Sequence, residues 1–139
     1  MQTLILGSSS PFRAELLAKL HLKFITVSPD IDESPLANEN PEQLVKRLAE
    51  AKARKIAETD KMQSLVDYYE VIFRNLTAEQ IDFYLQTEQP YQCAGSFKSE
   101  GFGISLFQEL RGQDPNSLIG LPLIRLIELL ANEGVDVLA

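Results

Sequence analysis

The 139-residue chain contains one cysteine, Cys93, and one histidine, His21. With a single cysteine no intrachain disulfide can form, and a metal site built on a Cys-x-x-Cys pair is excluded. His21 falls near the end of a predicted helix, where a surface role suits it. Because no histidine partner can be identified for Ser8, Ser9 and Ser10, a serine hydrolase of the triad type is disfavoured.

Positive charge is also scarce, because 13 Lys and Arg face 20 Asp and Glu and the net charge is −7. This balance disfavours nucleic acid polymers and anionic membranes as partners, because a protein binds them through diffuse positive charge on its own surface. A few well-placed cations can still hold a small anion. The N-terminus has no signal-peptide pattern, and Pro122, Arg125 and Glu128 interrupt the most apolar stretch. We therefore expect a cytoplasmic protein without a membrane segment.

Segments typical of strands and helices alternate along the chain with no obvious linker. At 45% hydrophobic residues the chain is long enough for one α/β domain with a core and too short for two of ordinary size. The patterns predict strands at 4–6, within LKFITVSP, at 65–76 and at ISLFQEL, and helices from Pro11, over about 41–58, after Thr77 and from Pro122 to before Gly134.

Arg13 stands in the first turn of the helix that Ser10 caps and Pro11 begins. A cation there opposes the helix dipole and costs roughly 0.3–1 kcal/mol. If an anion sat on the loop, the backbone N–H groups, the hydroxyls of the serine cluster and the guanidinium would all point towards it. The sequence therefore predicts a phosphate site formed by Ser8, Ser9, Ser10 and Arg13.

Lys52 interrupts the apolar stripe of the second helix, which also contains Val45, Ala49 and Ile56. A half-buried ammonium needs a partner. Two interpretations remain open: Lys52 extends its tip to water at the edge of the stripe, or it is a second phosphate-binding cation facing the same cleft as Arg13.

Two further segments carry candidate residues. PDIDESP places Asp30, Asp32 and Glu33 within four positions, where carboxylates can hold a divalent ion or orient a water, although acidic surface loops are common. In CAGSFKSEGFG, Lys98 and Glu100 would lie on the same side of an extended segment, although such glycine-rich stretches also serve simply as turns.

Four stretches in this order, LILGSSSPFRAELL, PDIDESP, RLAEAKARKIA and CAGSFKSEGFGISLFQELRGQDPNSLIGLPLIRLIELL, resemble the Maf family of nucleoside triphosphate pyrophosphatases. The last stretch most resembles the subfamily that acts on 7-methyl-GTP. The resemblance implies a fold like that of the inosine triphosphate pyrophosphatases, with a mixed sheet flanked by helices. It also implies Mg²⁺ or Mn²⁺ as cofactor, and cleavage of a nucleoside triphosphate to the monophosphate and pyrophosphate.

By motif match, Arg13 and Lys52 would bind phosphate, and Glu33 would act at the metal and water site. Lys98 and Glu100 would contact the base. Methylation at N7 makes guanine cationic, so the carboxylate of Glu100 is expected to favour 7-methyl-GTP over GTP. The alternative for Glu100 is a surface ion pair with Lys98 that selects nothing.

A central block of the family is absent, because IAETD runs directly into KMQSLVDYYEVIFRNLT. Family members have there a G-[AS]-D-[TQ] motif, whose Asp is the presumed catalytic base and metal ligand, and a GKP motif. The resemblance therefore implies one domain over 1–139 with an internal deletion near residues 60–62, and it leaves the activity of the shortened chain open.

Two alternatives to a pyrophosphatase follow from the missing block. One is a non-catalytic nucleotide-binding or regulatory protein linked to septum formation. The other is a remnant that needs a partner chain to complete its sheet. A homodimer is compatible with each of these interpretations.

Overall fold

The computed structural model describes residues 3–57 and 61–139. Within these residues helices and strands alternate, which confirms the α/β class. Glu58, the predicted end of the second helix, and Asp60, one flank of the predicted deletion, lie outside the described residues. In chain order the elements are β1 (Leu4–Leu6), α1 (Pro11–Ala18), β2 (Phe24–Thr26), α2 (Pro41–Ile56), β3 (Tyr69–Phe73), α3 (Ala78–Glu88), β4 (Phe107–Gly112), α4 (Asn116–Ile119) and α5 (Leu123–Asn132).

The helices begin where their capping residues predict. The Ser10 hydroxyl caps α1 by accepting from the backbone N–H of Arg13. Asn40 with Gln43 and Thr77 with Gln80 form reciprocal capping boxes at α2 and α3. Each box satisfies two backbone N–H groups that a helix start would otherwise leave unpaired.

Two compact units make up the chain: residues 1–67 with 120–139, and residues 68–119. The first contains β1 and β2, which pair in parallel with Ile5 opposite Ile25. The second contains β3 and β4, which pair antiparallel with Tyr69 opposite Gly112 and an irregularity between Ile72 and Phe73. The predicted single mixed sheet is therefore wrong for the described residues, whose strands form two separate pairs.

Two predicted strands are shorter than their patterns. The segment predicted over 65–76 forms β3 only from Tyr69 to Phe73. In ISLFQEL, Phe102–Leu106 forms a 3₁₀ turn and the strand begins at Phe107. The N–H of Gly103 donates to the Lys98 carbonyl at 3.0 Å and closes a tight turn. This turn delays the start of the strand.

The second unit has a continuous apolar core. The core contains Tyr84 of α3, Phe107 of β4 and Leu106, which precedes β4. Phe97 packs edge-on against Phe107, with ring centroids 5.5 Å apart, an arrangement that aromatic quadrupoles favour.

The fully buried apolar side chains of the first unit lie on α1 and α5: Leu16 and Leu17, and Leu123 and Leu130. The 16-residue helix α2 contains no fully buried residue. No helix among residues 3–57 and 61–139 is long and apolar enough to cross a membrane.

Candidate functional site

The loop between β1 and α1 is held by its own serines. Ser8 is buried, and its hydroxyl oxygen accepts from the backbone N–H of Ser10 at 3.1 Å. The hydroxyl oxygen of Ser10 in turn accepts from the N–H of Arg13 at 3.4 Å. Because both hydroxyls act here as acceptors, each retains a proton that it can donate to an anion. Ser9 is exposed between them.

Arg13 is half-buried, and the segment that precedes α5 anchors its side chain. Its Nε donates to the carbonyl of Gly120 at 2.9 Å. Gly120 has φ 142°, a conformation that glycine alone adopts readily. The bond anchors Nε of the guanidinium, and among the described residues no carboxylate forms an ion pair with Arg13. An arginine held in this way can offer its terminal nitrogens to a bound anion.

Lys52 lies close to the same loop. A Cβ added to Gly7, which precedes Ser8, would lie 2.6 Å from Cδ1 of Ile56 and 3.9 Å from the carbonyl oxygen of Lys52. Glycine therefore allows the last turns of α2 to approach the end of β1. That Lys52 faces the same cleft as Arg13 stays a prediction.

The Lys52 ammonium has a partner in the acidic loop. Its Nζ lies 2.5 Å from Oε1 of Glu33, and the two side chains are 20% and 55% exposed. Both interpretations of Lys52 remain open, because the stem is mostly covered and the ammonium pairs with a carboxylate that is itself half exposed. The role of Lys52 as a phosphate ligand stays a prediction.

The described residues contain no ready-made metal centre. No three His, Cys, Asp or Glu side chains within 3–57 and 61–139 are grouped so that they could hold an ion. Asp32, close to Glu33 in sequence, uses its carboxylate oxygen Oδ1 to accept from the N–H and hydroxyl of Ser34 at 2.9 and 2.6 Å. These bonds lower the pKa of Asp32, the hydroxyl contributing most.

Sequence reasoning singled out neither Arg47 nor Glu39. In the structure Arg47 binds Glu39 with two nearly parallel contacts, Nε to Oε1 at 2.6 Å and Nη2 to Oε2 at 2.9 Å. The hydrogen bond from Arg47, followed by one from the N–H of Leu36, lowers the pKa of Glu39 to about 2. The available signal was the capping residue Asn40. It shows that Glu39 lies where the acidic loop meets α2.

Lys98 and Glu100 belong to the second unit and do not lie on an extended segment. The Lys98 carbonyl accepts from the N–H groups of Gly101 and Gly103 at 3.2 and 3.0 Å. The expectation that the two side chains share one side of an extended strand is therefore wrong. The surface ion pair between them is also absent among the described contacts, in which Glu100 accepts from the Ser99 hydroxyl at 3.3 Å.

The backbone of Lys98 is fixed by Tyr84. The Lys98 N–H donates to the buried Tyr84 hydroxyl at 2.9 Å. Burial raises the pKa of Tyr84 above its ordinary value, so the hydroxyl stays neutral near pH 7. This contact ties the turn that carries Glu100 to the core of the second unit.

Asp114 is the other residue that sequence reasoning missed. It is 1% exposed, and its Oδ1 accepts from the N–H and the side-chain amide of Asn116 at 2.9 and 2.7 Å. A buried carboxylate with these partners stabilises the start of α4 and needs no ligand to explain it.

Comparison with known families agrees with these motifs. A family model described as Maf-like protein matches residues 3–66 and 57–133. The two matches cover most of the chain. The chain belongs to the Maf family.

Individual relatives match over nearly their full length. The Methylobacillus flagellatus protein is 44% identical over 192 aligned positions, which cover 99% of this chain and 100% of the relative. The Nitrosococcus oceani protein is 44% identical over 98% and 96% of the two chains, and the Vibrio vulnificus protein 41% over 97% of each. All three relatives are named 7-methyl-GTP pyrophosphatase.

Proposed function

We propose that this protein binds a nucleoside triphosphate, 7-methyl-GTP in particular, and hydrolyses it to the monophosphate and pyrophosphate. The observation that carries the proposal is Arg13, an anchored guanidinium without a carboxylate partner among the described residues, at the start of α1. Helix starts favour anions, and a phosphate there would also accept from Ser8 and Ser10. The names of the relatives supply the choice of nucleotide.

The reaction breaks one phosphoanhydride bond. A water attacks the α-phosphorus, the bond to the oxygen that bridges the α and β phosphates breaks, and pyrophosphate leaves. Arg13 and Lys52 would neutralise the charge that develops on the leaving pyrophosphate, which is the largest contribution that fixed cations make to phosphoryl transfer. The serine hydroxyls would hold the phosphates in register for this attack.

Lys52 and Glu33 form a pair that a nucleotide would rearrange. In the structure the ammonium is neutralised by Glu33 at 2.5 Å. A triphosphate offers Lys52 several anionic oxygens, so the carboxylate becomes available for another cation or for a water. Glu33 thereby changes from counter-ion to site residue when the substrate arrives.

The proposed divalent cofactor fits Glu33 in a limited way. Mg²⁺ usually binds through one or two carboxylates together with substrate phosphates and water. Among the described residues the exposed Glu33 supplies one such carboxylate beside the predicted phosphate site, and no larger acidic group exists. Bound Mg²⁺ or Mn²⁺ would add Lewis-acid polarisation of the phosphate. We propose Glu33 as the residue of this chain that holds it.

Two observations support the absence of a central segment. The family match comes in two parts that meet around residues 57–66. The relative from M. flagellatus also aligns over 192 positions with a chain of 139 residues. We propose that this chain lacks the block carrying the family's presumed catalytic Asp. A positioned general base contributes about 10²–10⁴-fold to rate, so turnover should be slow.

The test is pyrophosphate release from 7-methyl-GTP with Mg²⁺ or Mn²⁺, by this chain and by the M. flagellatus relative at equal concentration. We expect release that depends on Arg13 and is about 10²–10⁴-fold slower than that of the relative. Equal rates would contradict the loss of the base, and binding without any turnover would favour a nucleotide-binding protein that is not an enzyme. A cytoplasmic location and a homodimer stay predictions.

A further inference from the structure

Arg47 and Glu39 join the acidic loop to helix α2 through a partly buried ion pair, in which the Arg47 side chain is 32% exposed. The Glu39 side chain is 7% exposed, and both of its oxygens contact the Arg47 guanidinium, at 2.6 and 2.9 Å. Two parallel contacts fix both the position and the plane of the two groups, which a single contact does not do. We call Arg47 and Glu39 the loop clasp.

The loop clasp also binds the backbone on either side of Pro35. Arg47 Nη2 donates to the carbonyl of Ser34 at 3.0 Å, and Glu39 Oε2 accepts from the N–H of Leu36 at 3.0 Å. Ser34 is itself fixed by its two bonds to Asp32. The backbone of residues 32–36 is therefore held from both ends.

Glu33 lies between the two fixed points. Its neighbour Asp32 starts the turn, and its other neighbour Ser34 carries the carbonyl that Arg47 holds. Lys52, the partner of Glu33, is on the same helix as Arg47. The distance between Glu33 and Lys52 is thus set by the attachment of the loop to α2.

We propose that Arg47 and Glu39 are positioning residues that fix the loop carrying Glu33 beside Lys52 on α2 and so set the triphosphate affinity of the site. The inference rests on the proposed function, because it concerns the same two groups. Neither Arg47 nor Glu39 touches the nucleotide in this account. They act by keeping the loop ordered beside α2, so that Lys52 exchanges Glu33 for a phosphate oxygen without a loop having to be ordered on binding.

The chain contains a matched pair that lacks this arrangement. Arg111 and Glu109 on β4 also make two parallel contacts, at 2.8 and 2.7 Å. Their side chains are exposed, and the pair lies two residues apart on one strand. Breaking this pair removes the same chemistry without freeing a loop.

The experiment measures binding of inorganic tripolyphosphate by calorimetry, so that base recognition plays no part. Arg47→Met removes all three donations while keeping much of the apolar stem, and Arg47→Lys keeps the charge but cannot form both parallel contacts. Lys46→Met controls for lost charge on α2, and Arg111→Met for a lost pair. We expect about 10-fold weaker binding for Arg47→Met, a smaller loss for Arg47→Lys, and under about 3-fold for both controls.

A double variant separates positioning from general destabilisation. If the loop clasp acts through Glu33 and Lys52, adding Arg47→Met to Lys52→Ala should weaken binding by less than about 2-fold. A full 10-fold further loss in the Lys52→Ala background would overturn the proposal, as would a loss for Lys46→Met equal to that for Arg47→Met.

Amide hydrogen exchange keeps this test distinct from the proposed function. The N–H groups of Ser34 and Leu36 should exchange faster in Arg47→Met and unchanged in Arg111→Met. If the unaltered protein binds no tripolyphosphate, the proposed function fails, whether or not exchange changes. If it binds and exchange at Ser34 and Leu36 is unaffected by Arg47→Met, the positioning role fails.

Discussion

The two units differ in how their longest elements are covered. In the second unit α3 and β4 each contribute a buried ring, Tyr84 and Phe107, to one core. In the first unit neither strand nor the 16-residue helix α2 has a fully buried residue, and the facing side chains Ile5 and Ile25 are 37% and 52% exposed.

This difference bears on the proposed absence of a central segment. An amphipathic helix and a strand pair are normally buried on one face. The second unit satisfies this with its own residues, whereas β1, β2 and α2 do not find enough cover within the described chain. The first unit is also where the two parts of the family match meet, so poor cover and the proposed absence of a central segment have one explanation.

The largest expected effect compares the cores directly. Phe107→Ala should lower the free energy of unfolding by about 3–5 kcal/mol, because it leaves a cavity among Tyr84, Leu106 and Phe97. Ile25→Ala should cost about 1 kcal/mol or less, because half of that side chain is already exposed. Urea unfolding of both variants checks this. Similar losses would show that the β1–β2 pair is covered after all.

The next effect concerns ligand binding by the first unit. Arg13→Ala should weaken triphosphate binding by about 1.5–3 kcal/mol, the contribution of hydrogen bonds to a charged group, and unfolding free energy should fall by only about 1 kcal/mol with the bond to Gly120. Calorimetric titration measures the change in binding, and thermal melting measures the change in stability. The matched control is Arg74→Ala in the second unit, which should leave binding unchanged; an unchanged affinity for Arg13→Ala would remove it from the site.

A smaller effect is expected for recognition of the nucleotide base by Glu100, which belongs to the second unit. Glu100→Gln should reduce a preference for 7-methyl-GTP over GTP of about 10-fold, because only the methylated base is cationic and attracts a carboxylate. GTP affinity should stay nearly constant. Competition binding with both nucleotides measures this, and an equal loss for the two would exclude Glu100 from base recognition.

The smallest effect is a pH dependence confined to the loop clasp. Arg47 holds the pKa of Glu39 at about 2, below its ordinary 4.5. A lowered folded-state pKa gives stability that is present above about pH 4.5 and is lost as pH falls towards 2. Proteolysis of residues 30–39 should therefore accelerate in this window, and Glu39→Gln should remove that dependence. If proteolysis accelerates equally in Glu39→Gln, the pH dependence comes from another carboxylate.

Local signals predicted the parts of the fold that local chemistry determines. Ser10, Asn40 and Thr77 each fixed a helix start, because a cap needs only residues three positions away. The cap at Ser10 also drew attention to Arg13, whereas Lys52 was singled out by the apolar stripe that it interrupts. Local signals could not predict which strands pair, since pairing depends on contacts between residues far apart in sequence.

The contacts of the site residues were also beyond sequence reasoning. Gly120, which anchors Arg13, is 107 positions away. Glu33 was interpreted as a metal ligand and Lys52 as a phosphate ligand, and their ion pair links two residues whose spacing follows no helical or strand period. Glu100 was placed on an extended segment because nothing in its neighbourhood shows that Lys98 accepts two amides.

The central claim is that the first unit holds the phosphates of a nucleotide, and the most direct measurement compares 7-methyl-GTP with 7-methylguanosine by calorimetric titration of this chain. Arg13 and Lys52 together should contribute roughly 3–6 kcal/mol through bonds to charged groups. The account predicts saturable binding of the triphosphate and binding of the nucleoside weaker by about 100-fold or more. Equal affinities, or no binding of the triphosphate, would contradict it.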